Sequence, residues 1–134
     1  MGFDQYHEPP EELSAQTRTF ARMCASLTEE AEAIGWYEQR ISVETDAEAV
    51  AIMHDAQGEE FKHFSMDLEL LLRRTPKWRE IAKGVLFQDG EIVEHGEAAE
   101  AAADSDVPAA PASSGGTVVA SGSLGIGSMR GGGQ

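Results

Sequence analysis

The chain has 134 residues, with 24 acidic against 10 basic side chains and a net charge of −14. That length allows one small domain; that charge argues against nucleic acid and anionic membranes as partners and favours small cations. A single cysteine, Cys24, permits no disulfide within the chain and fits a reducing cytoplasm.

Residues 1–12, with Pro9-Pro10, read as an extended polar arm. They carry neither a basic region nor an apolar run, so no signal peptide is expected, and no stretch of the chain is apolar enough to span a membrane. From Leu13 to Val43 the pattern is helical. Leu13, Phe20, Cys24, Leu27, Ala31, Ile34 and Ile41 recur at spacings of three and four. Cys24 on this stripe reads as a small core residue. A second row, Met23, Leu27, Glu30, Ile34, Tyr37 and Ile41, shows Glu30 and Tyr37 interrupting an apolar stripe. Glu29, Glu32 and Trp36 lie on a neighbouring face. A helix of this length spans roughly 40–45 Å, and Gly35 weakens it by about 1 kcal/mol relative to alanine.

Thr45-Asp46-Ala47-Glu48 fits a capping box and starts a second helix, which runs to about Arg74. The short connection makes the two helices antiparallel neighbours. Glu60 and His63 follow Met53 and Ala56 at helical spacing. Thr75-Pro76 ends this helix and starts a third, shorter one, with Thr75 as N-cap and Pro76 in first position. Trp78, Ile81, Val85 and Leu86 give the third helix an apolar side, and Asp89-Gly90 marks a turn. The expected helical domain therefore covers residues 13–95. From Gly96 to Gly122 the composition shifts to Ala, Ser, Gly, Pro and acids, which reads as a disordered linker. The last twelve residues, Ser123 to Gln134, place Leu124, Ile126 and Met129 among glycine and serine, the pattern of a short docking peptide. An idle, sticky tail fits the same pattern.

Glu60 and His63 form a Glu-x-x-His pair, stacked on one helix face. Di-iron carboxylate bundles take a lone Glu from each of two helices and Glu-x-x-His from each of the other two. One chain offers half of that set: Glu30, Glu60 and His63. A hairpin also buries each helix on one side only, whereas these helices carry apolar rows on two. Pairing two hairpins into a four-helix bundle answers both shortfalls. Buried carboxylates are expensive without compensation, and the charge of four glutamates is balanced by two divalent metals. Oxygen-rich ligation with one imidazole per metal suits iron or manganese better than structural zinc. Plainer roles fit the same residues: Glu30 as a solvated edge of its stripe, Tyr37 as a core aromatic, Glu29 and Glu59 as surface charges.

The block Glu29-Glu30-Ala31-Glu32-Ala33-Ile34-Gly35-Trp36-Tyr37-Glu38-Gln39-Arg40, the pair Glu59-Glu60 with His63, and the terminal Ser-Leu-Gly-Ile-Gly-Ser resemble the encapsulated ferritins. These are ferritin-like proteins carried inside encapsulin shells. The resemblance covers about His7 to Phe87 and the tail. It implies an all-α fold of two antiparallel helices and a short third, dimerising into a ferritin-like four-helix bundle. Five dimers can close into a decameric ring. By position it implies Glu30, Glu60 and His63 as iron ligands of a ferroxidase centre at the dimer interface, with Tyr37 nearby. Glu29 and Glu32, with Trp36 beside them, match an acidic approach region. The tail, residues 123–134, matches the cargo-loading peptide that encapsulin shells recognise, which puts the protein in the cytoplasm inside such a shell. Gly35 and Gly58 depart from more usual polar residues. Asp55, Glu59 and Lys62 stand where the family has an outer metal site, and the lysine argues against that site here. The expected activity is oxidation of Fe(II) by dioxygen, delivering Fe(III) for storage in the shell. A metal-locked helical adaptor without turnover is the alternative; a hemerythrin-like oxygen carrier would need more histidines.

Overall fold

A computed structural model describes residues 5–105 of the chain. After a single 3-10 turn over Pro10–Glu12, Ser14 caps the first long helix by accepting from the Thr17 amide at 3.0 Å. Helix α1 runs Ala15–Val43. At its end the Glu44 carboxylate accepts from the amides of Thr45 and Asp46, at 2.8 and 2.9 Å. Those two bonds hold the Glu44 carboxyl below the ordinary carboxylate range. They also move the next cap: Thr45 is not the N-cap of α2, as the capping-box pattern predicts. Asp46 is, its Oδ1 accepting from Ala49 N at 2.9 Å. With the Thr45 amide tied back to Glu44, the first free cap position falls one residue later, on a residue that ranks above threonine as a cap.

Helix α2, Ala47–Arg74, returns antiparallel along α1. Ala25, Leu71 and Leu72 are buried. So is Gln57, whose Nε2 donates to the Ile34 carbonyl at 3.3 Å and to Glu38 Oε2 at 3.0 Å. This polar clasp fixes the register of the two helices at mid-length. Much apolar surface stays open, however: Phe61 is 52% and Met66 61% exposed, and Phe20, Trp36 and Ile52 are exposed as well. The single chain covers one side of the hairpin and leaves the other uncovered, as the double apolar rows imply.

Thr75 precedes Pro76 as expected and occupies the cap position of α3, Pro76–Val85, but its hydroxyl makes no capping bond. Leu86 is not part of the apolar side: it lies past the helix end and is exposed. Phe87, at φ 60°, and Gly90, at φ 103°, reverse the chain, and His95 Nε2 donates to the Asp89 carbonyl at 2.7 Å to close the turn.

A fourth helix, α4, then covers Ile92–Ser105 and packs back on α3. The expected linker does not begin at Gly96, nor the helical domain end at residue 95. Ala98, Ala99, Ala101, Ala102 and Ala103 form a run of the best helix-forming residue, and two contacts anchor it. Lys77 pairs with Asp104 at the open end. At the crossing a Cβ on Gly84 would come within 2.5 Å of that of Ala99, so only glycine permits this approach of α3 and α4. The remainder of the expected linker and the terminal peptide, residues 106–134, lie outside the described residues, as do residues 1–4. All regular structure among the described residues is helical, and none of these helices is long and apolar enough to cross a membrane.

Candidate metal centre

The antiparallel register brings Glu30 of α1 opposite Glu60 and His63 of α2. One ligand atom from each lies within 4.8 Å of the other two. His63 Nδ1 is 3.7 Å from Glu30 Oε2 and 3.6 Å from Glu60 Oε2. The Glu30 and Glu60 side chains are only 20% and 23% exposed, against 43% for His63. The group is therefore sunk on its carboxylate side and open on its imidazole side.

Two facing carboxylates in that position cannot both stay ionised cheaply. The Glu30 carboxyl is pushed up to about 7 by hydrogen bonding with Glu60, then by burial and by the Glu60 charge, with His63 working the other way. A proton thus holds together what a cation would hold better: the two oxygens and the imidazole nitrogen form a hard, oxygen-rich donor set of the kind iron and manganese accept. The residues fit a divalent metal.

The sign of the pH effect follows. The folded chain keeps a proton on Glu30 that the unfolded chain releases near the ordinary carboxylate value of ~4.3. The stability this adds is complete below that value and is lost as the pH rises through about 7. With chelator present, the wild-type Tm should fall between pH 5 and pH 8 more steeply than that of Glu30→Gln. Equal slopes in thermal melts of the two proteins would show that Glu30 does not keep its proton. Mn(II) should remove the wild-type loss at pH 8, where Glu30 has already released its proton and the cation takes the proton's place between the two carboxylates.

The other residues singled out in the sequence are not in this cluster. Glu29, Glu32 and Trp36 are exposed on α1. Tyr37 is half-buried, with the Arg40 guanidinium 5.5 Å over its ring. Glu59 pairs with Lys62, which holds its carboxyl below the usual range, and its Oε2 also lies 3.9 Å from His63 Nε2. Lys62 thereby engages the acid that the outer site of the resembled family would need. Two residues went unread in the sequence. Gln57 gave no signal, since one polar residue in a helix has no period. Asp67 did: it continues the spacing of Glu60 and His63, and its Oδ2 is buried without a hydrogen-bond partner.

A helical hairpin that turns two facing glutamates and a Glu-x-x-His histidine to one side has a ferritin-like arrangement of helices and ligands. The chain belongs to the EncFtn-like family, whose model matches residues 5–89 and so ends before α4 begins. It is 41% identical to an encapsulated ferritin-like protein of Rhodospirillum rubrum over 125 residues, 93% of this chain and 87% of that one. It is 43% identical to a ferritin-like protein of Thermotoga maritima over 91 residues, 68% of this chain and 80% of that one. Among solved structures, the crystal structure of protein ne0167 from Nitrosomonas europaea has a TM-score of 0.65 at 39% identity, covering 66% of this chain and 98% of its own.

Proposed function

We propose that the protein is a ferroxidase whose di-iron centre forms between two copies of the chain. The observation that carries this is the convergence of Glu30, Glu60 and His63 within 4.8 Å on a hairpin that leaves large apolar side chains uncovered. One chain supplies three ligands, too few for two metals; two chains supply four carboxylates and two imidazoles. Fe(II) is the substrate. Each ion gives one electron to dioxygen, and the centre's part is to hold two ions close enough to react with one acceptor. Glu30 gives up its shared proton on binding, and both glutamates then face metal charge instead of each other. Tyr37, two turns along α1 from Glu30, adds a hydroxyl near the centre. Glu29 and Glu32, with Trp36, form an exposed acidic approach for Fe(II).

Five such dimers closing into a decameric ring would expose the centres without enclosing a storage cavity. Storage then falls to an encapsulin nanocompartment that the chain enters through its C-terminal peptide. The similarity to the encapsulated relative supports this. A match over 125 of 134 residues takes in residues 10–125 wherever it starts, and so reaches the first residues of the peptide.

Assembly tests the reading. Metal that binds only the paired state must favour pairing by mass action. Native mass measurements on dilute full-length protein should move from monomer toward dimer, or from dimer toward higher order, when Fe(II) is added without oxygen. A chain that stays monomeric at saturating Fe(II) would rule out a centre shared between two copies.

A further inference from the structure

Asp67 stands one turn past His63 and two turns past Glu60 on α2, at the spacing that keeps all three on one face. Its Oδ2 is shut off from solvent and accepts no hydrogen bond. A buried carboxylate oxygen without a donor is an expensive feature and calls for a compensating charge. Among the described residues no basic side chain pairs with it; the paired acids of α2 are Glu59, Glu60 and Glu69. Its charge reaches the centre, where it adds to the effects that push up the Glu30 carboxyl.

We propose that Asp67 selects the charge state of the bound ion, favouring the trivalent product over the divalent substrate at the Glu30–Glu60–His63 centre. This rests on the two-chain reading above. Four glutamates balance two Fe(II) ions. Losing one electron from each ion to dioxygen adds two positive charges, and the Asp67 carboxylates of the two chains supply two negative ones. A fixed anion one turn from His63 and two from Glu60, at most ~10 Å along the helix, attracts an ion in proportion to its charge. At an effective dielectric of ~20 that amounts to on the order of tenfold in affinity per unit of ion charge. The anion therefore stabilises the oxidised ion beyond the reduced one, without having to touch either.

The test uses redox-silent probes on the full chain. Mn(II) and Tb(III) affinities are measured by competition titration, with Tb(III) luminescence as a second readout, for wild type, Asp67→Asn and Asp67→Glu. Asp67→Asn should lower the ratio of Tb(III) to Mn(II) affinity about tenfold, and Asp67→Glu, which keeps the charge, should hold most of it. A ratio unchanged in Asp67→Asn while both ions still bind overturns the proposal and leaves the centre standing. Asp67→Glu behaving like Asp67→Asn also overturns it, since the effect would then lie in side-chain shape. Wild type binding neither ion overturns the centre and the proposal together. Glu60→Ala, which removes a ligand, should lose both ions.

Discussion

Glu30→Ala, Glu60→Ala and His63→Ala should each lower Fe(II) oxidation by more than about a hundredfold. Changing a residue that merely supports a metal ligand costs about 10–100-fold, and in the proposed two-chain centre every substitution removes a ligand twice, once from each chain. Fold and function separate cleanly in this test. Glu30 and Glu60 repel each other in the absence of metal, so deleting either carboxylate relieves a cost and should not lower the Tm of the metal-free protein above pH 7. Loss of oxidation with an unchanged or raised Tm then reports lost chemistry. Glu29→Ala and Glu32→Ala should slow uptake and leave metal affinity at the centre in place. Near-normal oxidation in Glu60→Ala would remove the assignment. Metal binding without turnover in the wild type would favour the locked adaptor instead.

The grouping of Glu30 with Glu60 and His63 was legible because an antiparallel hairpin with a short turn leaves little freedom. Once the apolar rows fix which faces meet, Glu30, which interrupts one of them, is brought against the Glu-x-x-His pair of the facing helix. The ends of the first three helices were legible to within two residues, and Pro76 marks its boundary through its own backbone neighbours. The cap at Asp46 was not, because it depends on the Glu44 carboxylate bonding forward to two amides, a contact with no periodic signature. Helix α4 was hidden by composition. A run of alanine with scattered acids resembles a linker as long as nothing shows what it packs on, and its partner is set by one glycine, Gly84, in another element. Asp67 sat in plain spacing with Glu60 and His63, but spacing says nothing of whether a carboxylate oxygen finds a donor. That depends on every side chain around it.

Deleting Ser123 to Gln134 should leave Fe(II) oxidation intact and abolish co-packaging with a co-expressed encapsulin shell. After Val118-Val119, Leu124, Ile126 and Met129 are the sizeable apolar side chains of the chain. Gly125 and Gly127 beside them let a backbone lie close against a groove. Burying one such aliphatic side chain is worth about 1.5–3 kcal/mol, so Leu124→Asp with Ile126→Asp should weaken each peptide by a hundredfold or more at ~1.4 kcal/mol per tenfold. On the proposed ring several peptides would bind together, and avidity would raise the whole far above a single contact. One intact tail in a mixed ring should therefore load poorly, and loading should rise steeply with the number of intact tails. The double substitution keeps the chain length, which separates lost docking from lost reach. The measurement is co-purification of protein with shells, scored against oxidation by the same preparation. Should the truncated protein fill the shell as well as the full chain, the peptide has no docking role, and whatever carries the protein inside lies elsewhere in the chain.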